Sequence, residues 1–451
     1  MAATQGQSPI LYQSADREIT LIDIPTSIAT AQGRCDAILL STPPLEHPIH
    51  PKEEYRPKAN KSSPISSVDT VHHAAYKSLI EQALLDISAH VVGPWCAPRG
   101  ILTQLPQHGK DVKETEDPEK ELKRRFREWA ACAEKTVDDA SFDFHTMMAS
   151  LGAPEVQPAT AGDLPQQWKA NYFPVSGDAA QSREMVTDWT PAFHNADDHP
   201  ISLSITRNGV EKEHTVQGYH FTIPARSTFF LGDCDHPDTF RSLFRTTTDE
   251  HNLPRHFDLV LLDPPWPNRS AKRKGAYEQI GGMPYLKKML LKMDIDNYLE
   301  HNALVGIWIT NKPALRDHVL GPGGLFEMWN VGLVEEWVWV KTTTKGEPMF
   351  DIDDAMRKPY EVLILGRAAP NAWTTMAHAP NVRRRVIAAV PDVHSRKPCL
   401  KEMLEPYMPD PTDYSALEVF ARYLVAGWAS WGNEVLKYNS DVYWTKGIDE
   451  Q

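Results

Sequence analysis

The sequence predicts an α/β fold with a mostly parallel sheet for the second half of this 451-residue chain. First, residues 257–262 form a continuous apolar run that ends at Asp263, as expected for a strand buried on both faces. Second, similar runs follow at residues 303–309, 334–340, 360–365, 386–390 and 417–420. Third, helical patterns intervene at residues 285–293 and 397–407, and strands separated by helices favour a parallel sheet covered on both faces.

The N-terminal region is predicted to be an extension of mixed α+β character. The chain is far longer than the ~150 residues that serve as a guide for one domain. Residues 1–70 are rich in proline and serine, so we expect an irregular, disordered segment. Residues 71–200 are expected to be mainly helical, since apolar spacing indicates amphipathic helices over residues 74–92 and 118–137. We expect a loop over residues 151–175.

Residues 201–256 are predicted to be β-rich and to lead into the α/β domain, residues 257–445. Ile201, Leu203 and Ile205 alternate with polar residues, and Asn208-Gly209 follows them. This dipeptide is typical of a type I′ hairpin turn, because both turn residues need a positive φ. The segment therefore indicates antiparallel strands.

The formal charge of −13 comes from 47 basic and 60 acidic side chains. A protein that wraps DNA through a broad basic surface is therefore not expected. The charge is uneven, since residues 257–451 carry 23 basic and 25 acidic side chains. Because this half is almost neutral, it remains compatible with a small basic cleft.

Several classes of protein are not expected. The five cysteines are widely spaced without a C-x-x-C pair, which disfavours a disulfide framework or a cysteine-based zinc site. No histidine spacing resembles a set of metal ligands, and neither a Walker A loop nor a G-x-S-x-G elbow is present. The sequence shows no secretory signal and no apolar run of ~18 residues. We therefore expect a soluble intracellular protein without a metal or a membrane contact.

The strongest chemical signal is Asp263-Pro264-Pro265-Trp266, directly after the predicted buried strand. Ligands of open α/β sheets bind beyond the carboxyl ends of strands, and two prolines stiffen this segment and remove two backbone donors. Carboxylate and carbonyl acceptors beside an indole suit an exocyclic amino group on a flat ring, on which the indole stacks. The amine can then attack a methyl group without a strong general base. The structural alternative is a proline-rich strand exit with a core tryptophan.

Several further segments resemble the MT-A70-type family of adenine-N6 methyltransferases, which carries Asp-Pro-Pro-Trp after a buried strand, and in particular its methyltransferase-like protein four branch. They are residues 227–230, 257–270 (FDLVLLDPPWPNRS), 336–341 (EWVWVK), 358–367 (KPYEVLILGR), 394–398 (HSRKP), 418–422 (EVFAR) and 427–437 (GWASWGNEVLK). The resemblance implies a Rossmann-like S-adenosylmethionine methyltransferase fold with permuted, β-class motif order. The catalytic strand comes first, and residues 418–422, which resemble the cofactor strand, come late.

The resemblance also implies S-adenosyl-L-methionine as the cofactor. The residues that it assigns to cofactor binding are Asp233, Cys234, Asp263, Lys397, Phe420, Arg422, Asn433 and Glu434. Lys397 would lie by the methionine carboxylate, since a carboxylate pairs with a cation, and amide or carboxylate groups suit a ribose diol. Each residue has a structural alternative: Lys397 as a helix-start lysine, Asn433 as a turn cap, and Arg422 in a surface ion pair.

Two loops are predicted to form a nucleic-acid entrance. The candidate substrate-binding residues are Asn268, Arg269, Lys272, Arg273 and Lys274 on the first loop, and Lys341, Lys358, Tyr360 and Glu361 on the second. Basic residues beside a stacking tryptophan provide a phosphate-binding funnel, although the acidic residues 351–354 oppose this interpretation. The basic group at residues 120–127 is either a solvated face, a phosphate-contacting face or a nuclear-import signal. The basic group at residues 383–385 is either a solvated turn or a phosphate contact. An adenine must be unpaired or flipped to enter such a cleft.

The predicted function is S-adenosylmethionine-dependent N6 methylation of adenine in RNA. By resemblance, the target is 2′-O-methyladenosine in small nuclear RNA and the protein is nuclear, with the cytoplasm as the alternative. DNA adenine methylation is an alternative with the same chemistry, and a catalytically inert nucleic-acid-binding partner subunit is an alternative of another class. The intact Asp263-Pro264-Pro265-Trp266 disfavours inertness. We expect activity without a catalytic partner subunit.

Overall fold

The part of the chain that the computed structural model describes comprises residues 8–50, 70–102, 118–140, 168–175, 185–207, 218–267, 282–354 and 357–446. The chain divides into two units. Unit 1 combines residues 1–104, 254–419 and 443–451, and unit 2 combines residues 105–253 and 420–442. Each unit is therefore built from segments that are distant in sequence.

The elements are numbered in chain order. The strands are β1 (Ile10–Gln13), β2 (Ile19–Ile22), β3 (Ala37–Leu39), β4 (Trp168–Pro174), β5 (Met185–Asp188), β6 (Ala192–His194), β7 (Ile201–Arg207), β8 (Tyr219–Ile223), β9 (Thr228–Leu231), β10 (Phe257–Leu262), β11 (Leu299–Ile309), β12 (Val331–Lys341), β13 (Tyr360–Ala368), β14 (Arg383–Ala389), β15 (Ala416–Val419), β16 (Ala429–Gly432) and β17 (Trp444–Lys446). The helices are α1 (Ile24–Ala31), α2 (Thr70–His90), α3 (Pro118–Ala140), α4 (Pro237–His251), α5 (Met283–Lys292), α6 (Pro313–Leu320), α7 (Leu325–Met328) and α8 (Lys401–Leu404).

The strands of the large unit 1 sheet follow the order β1-β2-β14-β12-β13-β11-β10-β15. The predicted buried strand, β10, pairs in parallel with both β11 and β15. β13 lies antiparallel between β11 and β12, so the sheet is mixed. Of the seven strand pairs formed by these eight described strands, four are parallel. The predicted α/β class is confirmed. The late position of β15 in sequence and its place beside β10 agree with the permuted motif order.

The expectation of an irregular segment over residues 1–70 is wrong for residues 8–50. Three strands and a helix form there, and β2 pairs in parallel with β14, with Ile19 opposite Val386. Asp23 caps α1, because its carboxylate accepts a hydrogen bond from the Thr26 N–H at 3.0 Å, and Pro25 occupies the first turn. The strands were missed because segments of three or four residues give little periodic signal. The prolines that suggested an irregular segment cluster after these strands, from residue 43 onward.

The two N-terminal helices are confirmed as α2 and α3, but residues 71–200 are not helical throughout. β4 occupies part of the predicted loop, and it pairs with β7 in a four-stranded sheet of order β5-β4-β7-β8 in unit 2. Trp168, Ala170 and Tyr172 alternate as buried residues along β4, which is the period-2 pattern of a strand covered on one face.

Antiparallel pairing of β7 with β8 places Ile205 opposite Tyr219, as a hairpin requires. The Asn208-Gly209 turn itself lies outside the described residues. Between β9 and β10, the segment predicted as β-rich also contains α4. The core of unit 2 is aromatic: Trp129 of α3 is fully buried, and its ring lies 5.6 Å from that of Trp168 and 5.2 Å from that of Tyr219.

Candidate active site

The site begins where two parallel strands of unit 1 end side by side. Leu262, the last residue of β10, lies opposite Val419, the last residue of β15. The Asp263 N–H points to the Val419 carbonyl oxygen at 3.4 Å. Since the carboxyl ends of parallel strands share one edge of the sheet, the Asp263 carboxyl is placed at this edge. Phe420 is the next residue of the chain after Val419.

The two prolines form a tight turn after Asp263. The Trp266 N–H donates a hydrogen bond to the Pro264 carbonyl oxygen at 2.7 Å, an i to i+2 bond whose central residue is Pro265. The fixed φ of proline suits the centre of such a turn. Trp266 is 9% exposed, and its indole N–H donates to the Trp308 carbonyl oxygen at 2.6 Å. The indole is therefore held at one edge by the backbone of β11.

Four side chains of alternating charge form a chain of ion pairs at this strand exit. The Lys397 ammonium donates to both carboxylate oxygens of Asp263, at 2.8 Å each. It also lies 3.3 Å from the Glu361 carboxylate. The other Glu361 oxygen accepts a hydrogen bond from the Lys341 ammonium at 2.6 Å. The residue after β10, the strands β13 and β12, and the segment after β14 thus contribute one charge each.

The environment of Glu361 favours the ionised form of its carboxyl group. Burial raises the pKa of the Glu361 carboxyl, but the nearby Lys341 and Lys397 lower it more, and the resulting pKa is about 2. The Lys397 ammonium also lies 5.4 Å from the centre of the Trp308 ring, and the Lys341 ammonium lies 4.7 Å from that of Trp339. These distances are typical of cation–π contacts.

Trp308 and Trp339 were not among the predicted site residues. Both are buried, and their rings meet edge to face with centroids 5.9 Å apart. The available signal was their position near the carboxyl ends of two predicted strands. Sequence reasoning did not show that the two strands are separated by one antiparallel strand, β13, in the sheet.

The turn that carries Lys397 is tied to the N-terminal part of unit 1. Arg396 forms an ion pair with Asp392 at 2.7 Å and donates to the Leu40 carbonyl oxygen at 2.9 Å. Arg99 donates to the carbonyl oxygens of Val390 and Pro391, also at 2.9 Å. The N-terminal segments therefore hold the turn from which Lys397 reaches Asp263.

The described residues of the predicted nucleic-acid loops lie in two different settings. Lys341 and Glu361 belong to the ion-pair chain at Asp263. Lys358 and Tyr360 instead contact His73 of α2, with Lys358 Nζ 3.1 Å from His73 Nε2 and the Tyr360 hydroxyl oxygen 2.9 Å from His73 Nδ1. The candidates Asn268, Arg269, Lys272, Arg273 and Lys274 lie outside the described residues.

Six of the predicted cofactor residues lie in unit 2. Asp233 is exposed and lines a pocket together with Phe240 and Trp431, whose rings stack at 3.9 Å. Cys234 is buried, and burial raises the pKa of its thiol. Phe420 has a left-handed φ of 63°. It therefore interrupts the extended backbone immediately after β15.

Arg422, Asn433 and Glu434 follow in the same unit. Arg422 is half-buried and Asn433 is exposed. Glu434 lies 3.3 Å from the Lys437 ammonium and 3.5 Å from that of Lys123. Burial raises the pKa of the Glu434 carboxyl, but Lys437, Arg422 and Lys123 lower it more. Glu434 is therefore a charged group that links the segment after β16 to α3.

The two further basic groups are largely paired with acidic residues. In the first group, Arg124 and Arg125 contact Glu121, and Lys123 contacts Glu119. In the second group, Arg383, Arg384 and Arg385 pair with Glu18, Glu336 and Glu335, respectively. Their charge is thus mostly compensated within the protein.

The described residues also bear on metal ligands, membrane-spanning helices and the state of the cysteines. Within the described ranges, no group of three His, Cys, Asp or Glu side chains is arranged to hold a metal ion. In the same part of the chain, no helix combines the length and the apolar character needed to cross a membrane. The cysteines Cys35, Cys96, Cys132, Cys234 and Cys399 are all free thiols.

Fold and site together define an α/β protein with a carboxylate, an ammonium and an indole at the carboxyl end of a central parallel strand. Residues 257–434 match the MT-A70 family. This segment is therefore an MT-A70 domain, as the sequence motifs predicted.

Three relatives illustrate the similarity. A Pyricularia oryzae protein described as "N6-methyladenosine RNA methyltransferase MTA1" is 29% identical over 96% of each chain. The human "N(6)-adenine-specific methyltransferase METTL4" is 34% identical over 51% of this chain and 46% of its own. A Caenorhabditis elegans "DNA N6-methyl methyltransferase" is 32% identical over 51% and 57%, respectively. Apart from the Pyricularia protein, the chain spans about half the length of the curated relatives that it matches.

Proposed function

We propose that this protein is an S-adenosylmethionine-dependent methyltransferase that modifies the N6 atom of adenine in RNA. The observation that carries the proposal is the Asp263 carboxylate at the end of β10, held by Lys397 and followed by the Pro264-Pro265-Trp266 turn. The MT-A70 domain over residues 257–434 and relatives described as N6-adenine methyltransferases support the reaction type.

The residues at the strand exit suit an aromatic amine. A carboxylate oxygen accepts more than one hydrogen bond, so Asp263 can accept an N–H of the amine while it keeps its contact with Lys397. The Pro264 carbonyl accepts one bond from Trp266 and retains a second lone pair for the other amine proton. When both amine protons are held by these two acceptors, the nitrogen lone pair is turned out of conjugation with the ring and becomes available for attack. Because nitrogen loses its proton readily after it becomes cationic, no strong base is required.

Each unit, taken by itself, has side chains whose chemistry suits part of S-adenosylmethionine. In unit 1, Lys397 presents an ammonium whose side chain is 13% exposed, which suits a carboxylate. In unit 2, Asp233 and Asn433 are exposed, and such groups suit hydroxyl and amino hydrogens. When bound, this cofactor supplies an electrophilic methyl group. The chain's own contribution is to orient the amine and to hold the surrounding charges fixed.

We further propose small nuclear RNA with a 2′-O-methyladenosine as the substrate, the nucleus as the location, and activity without a partner subunit. The RNA class is favoured by the Pyricularia relative, which is similar over nearly the whole chain. DNA is the second candidate, and the description of the Caenorhabditis relative favours it. The inert-partner alternative is disfavoured, since Asp263 is intact and forms two hydrogen bonds with Lys397.

The test uses the full chain with cofactor labelled in the methyl group. Matched oligonucleotides would be an unmodified RNA, the same RNA with one 2′-O-methyladenosine, and single- and double-stranded DNA. The variants are Asp263→Asn and, as a control, Asp317→Asn, which changes an exposed acid on α6.

We expect the wild type and the control to label the modified RNA, and Asp263→Asn to lose at least a hundredfold in rate. Labelling of DNA alone would establish the second candidate. Absence of labelling on every oligonucleotide would contradict the enzyme proposal.

A further inference from the structure

Helix α2 lies outside the matched family segment, yet it contacts the strand that carries Glu361. The imidazole of His73 and the ring of Tyr360 are nearly parallel, at 9°, with centroids 6.0 Å apart. His73 Nδ1 lies 2.9 Å from the Tyr360 hydroxyl oxygen. The His73 side chain is only 14% exposed, and Tyr360 is 2% exposed. The pair is therefore largely shielded from water.

A second residue of α2 contacts Tyr360 from the same helix face. Tyr76 is three residues after His73, a spacing that places both side chains on one face of the helix. Its ring meets Tyr360 edge to face at 5.8 Å, and its hydroxyl donates to the buried Glu336 carboxylate at 3.0 Å. Tyr360 is thus contacted by two aromatic side chains of α2.

Tyr360 directly precedes the residue that holds two lysines of the site. Glu361 lies between Lys341 and Lys397, and Lys397 holds Asp263. Neighbouring residues of a strand point to opposite faces, so α2 acts on Glu361 through the Tyr360 backbone. The Tyr360 carbonyl oxygen also accepts a hydrogen bond from the Asn311 amide at 3.3 Å.

The other nitrogen of His73 contacts the loop that precedes β13. Nε2 lies 3.1 Å from the Lys358 ammonium and 3.3 Å from an Asp353 carboxylate oxygen. His73 therefore joins α2 to β13 through Tyr360 and to the preceding loop through Lys358 and Asp353.

We propose that His73 is a positioning residue for the methyl-transfer site: through Tyr360 it fixes Glu361, and thereby Lys397 and Asp263. The contacts of Nε2 with Lys358 and Asp353 hold the segment that begins β13 against α2. The inference rests on the proposed methyltransferase function.

The variants are His73→Ala, His73→Asn and His90→Ala in the full chain. Asparagine retains an amide group that can form a hydrogen bond with the Tyr360 hydroxyl group. His90 is a matched control, because it lies on the same helix and also stacks on a tyrosine, Tyr12, at 5.1 Å. It is about 25 Å along the helix axis from His73, at 1.5 Å per residue.

We expect His73→Ala to lower kcat about tenfold with little change in the KM for RNA, in line with the loss of one buried hydrogen bond. His73→Asn should recover most of this loss. Equal losses in His73→Ala and His90→Ala, or no recovery of kcat in His73→Asn, would overturn the inference.

A second measurement does not depend on turnover. Amide hydrogen exchange of residues 357–368 should be faster in His73→Ala than in the wild type or His90→Ala. Unchanged exchange would refute the positioning role even if the wild type methylates RNA. Faster exchange in a protein that methylates no adenine would support the positioning role and contradict the proposed function instead.

Discussion

The strongest electrostatic prediction concerns Glu361, the anion shared by two lysines. Glu361→Gln keeps the size of the side chain but removes the charge that Lys341 and Lys397 contact at 2.6 and 3.3 Å. The pKa of Glu361 falls from 4.5 to about 2 in the folded protein. At about 1.4 kcal/mol per pKa unit, this difference corresponds to about 3 kcal/mol of stabilisation at neutral pH.

The pH dependence has a defined sign. Because the folded pKa lies below the unfolded one, the contribution of Glu361 is fully present above about pH 4.5 and is lost as the pH falls toward about 2. The same two pKa values leave about 1.4 kcal/mol at pH 3. The difference in stability between wild type and Glu361→Gln should therefore shrink by more than half between pH 7 and pH 3.

The assay is urea unfolding of both proteins at several pH values, with Glu347→Gln as the control. Glu347 is an exposed acid on the loop between β12 and β13, and its change should alter the free energy of unfolding by less than about 0.5 kcal/mol. A difference for Glu361→Gln that stays constant from pH 7 to pH 3, or that equals the control, would refute the proposed electrostatic role.

Two further predictions test the aromatic and backbone geometry of unit 1. Trp266→Ala should raise the KM for the nucleic acid by about five- to a hundredfold, since base stacking is worth about 1–3 kcal/mol. Trp266→Phe should raise the KM less, because this variant keeps an aromatic ring and loses chiefly the indole hydrogen bond to Trp308. Steady-state kinetics distinguishes the two, and equal KM values in both variants would exclude stacking. Gly346→Ala should cost about 2–4 kcal/mol, because Gly346 has a φ of +85° and its added Cβ would lie 2.5 Å from Trp95. Gly323→Ala is the control, because Gly323 has a φ of +65° but its added Cβ would meet open space; it should lower the free energy of unfolding by only about 1–2 kcal/mol. Thermal denaturation of both variants measures the two losses, and equal losses of stability would argue against a clash with Trp95.

The N-terminal region was the least predictable part of the fold. Its strands β1 to β3 are three or four residues long, too short for a periodic signal, and β2 is stabilised by pairing with β14 more than 360 residues away in sequence. Such pairing depends on the partner strand, and propensity in a short segment does not reveal it. Long amphipathic helices such as α2 and α3 carry their own signal, and their positions were predicted.

The sequence by itself determined the α/β class, the tetrapeptide at the strand exit and the match of residues 257–434 to the MT-A70 family. Buried strands are encoded in contiguous apolar runs, and Asp263-Pro264-Pro265-Trp266 is a local feature of four adjacent residues. Only the tertiary structure decided which charges meet. Asp263 and Lys397 are 134 residues apart in sequence, and His73 and Tyr360 are 287 apart. Side chains at such separations come together through the order of strands in the sheet, which no local pattern of residues encodes.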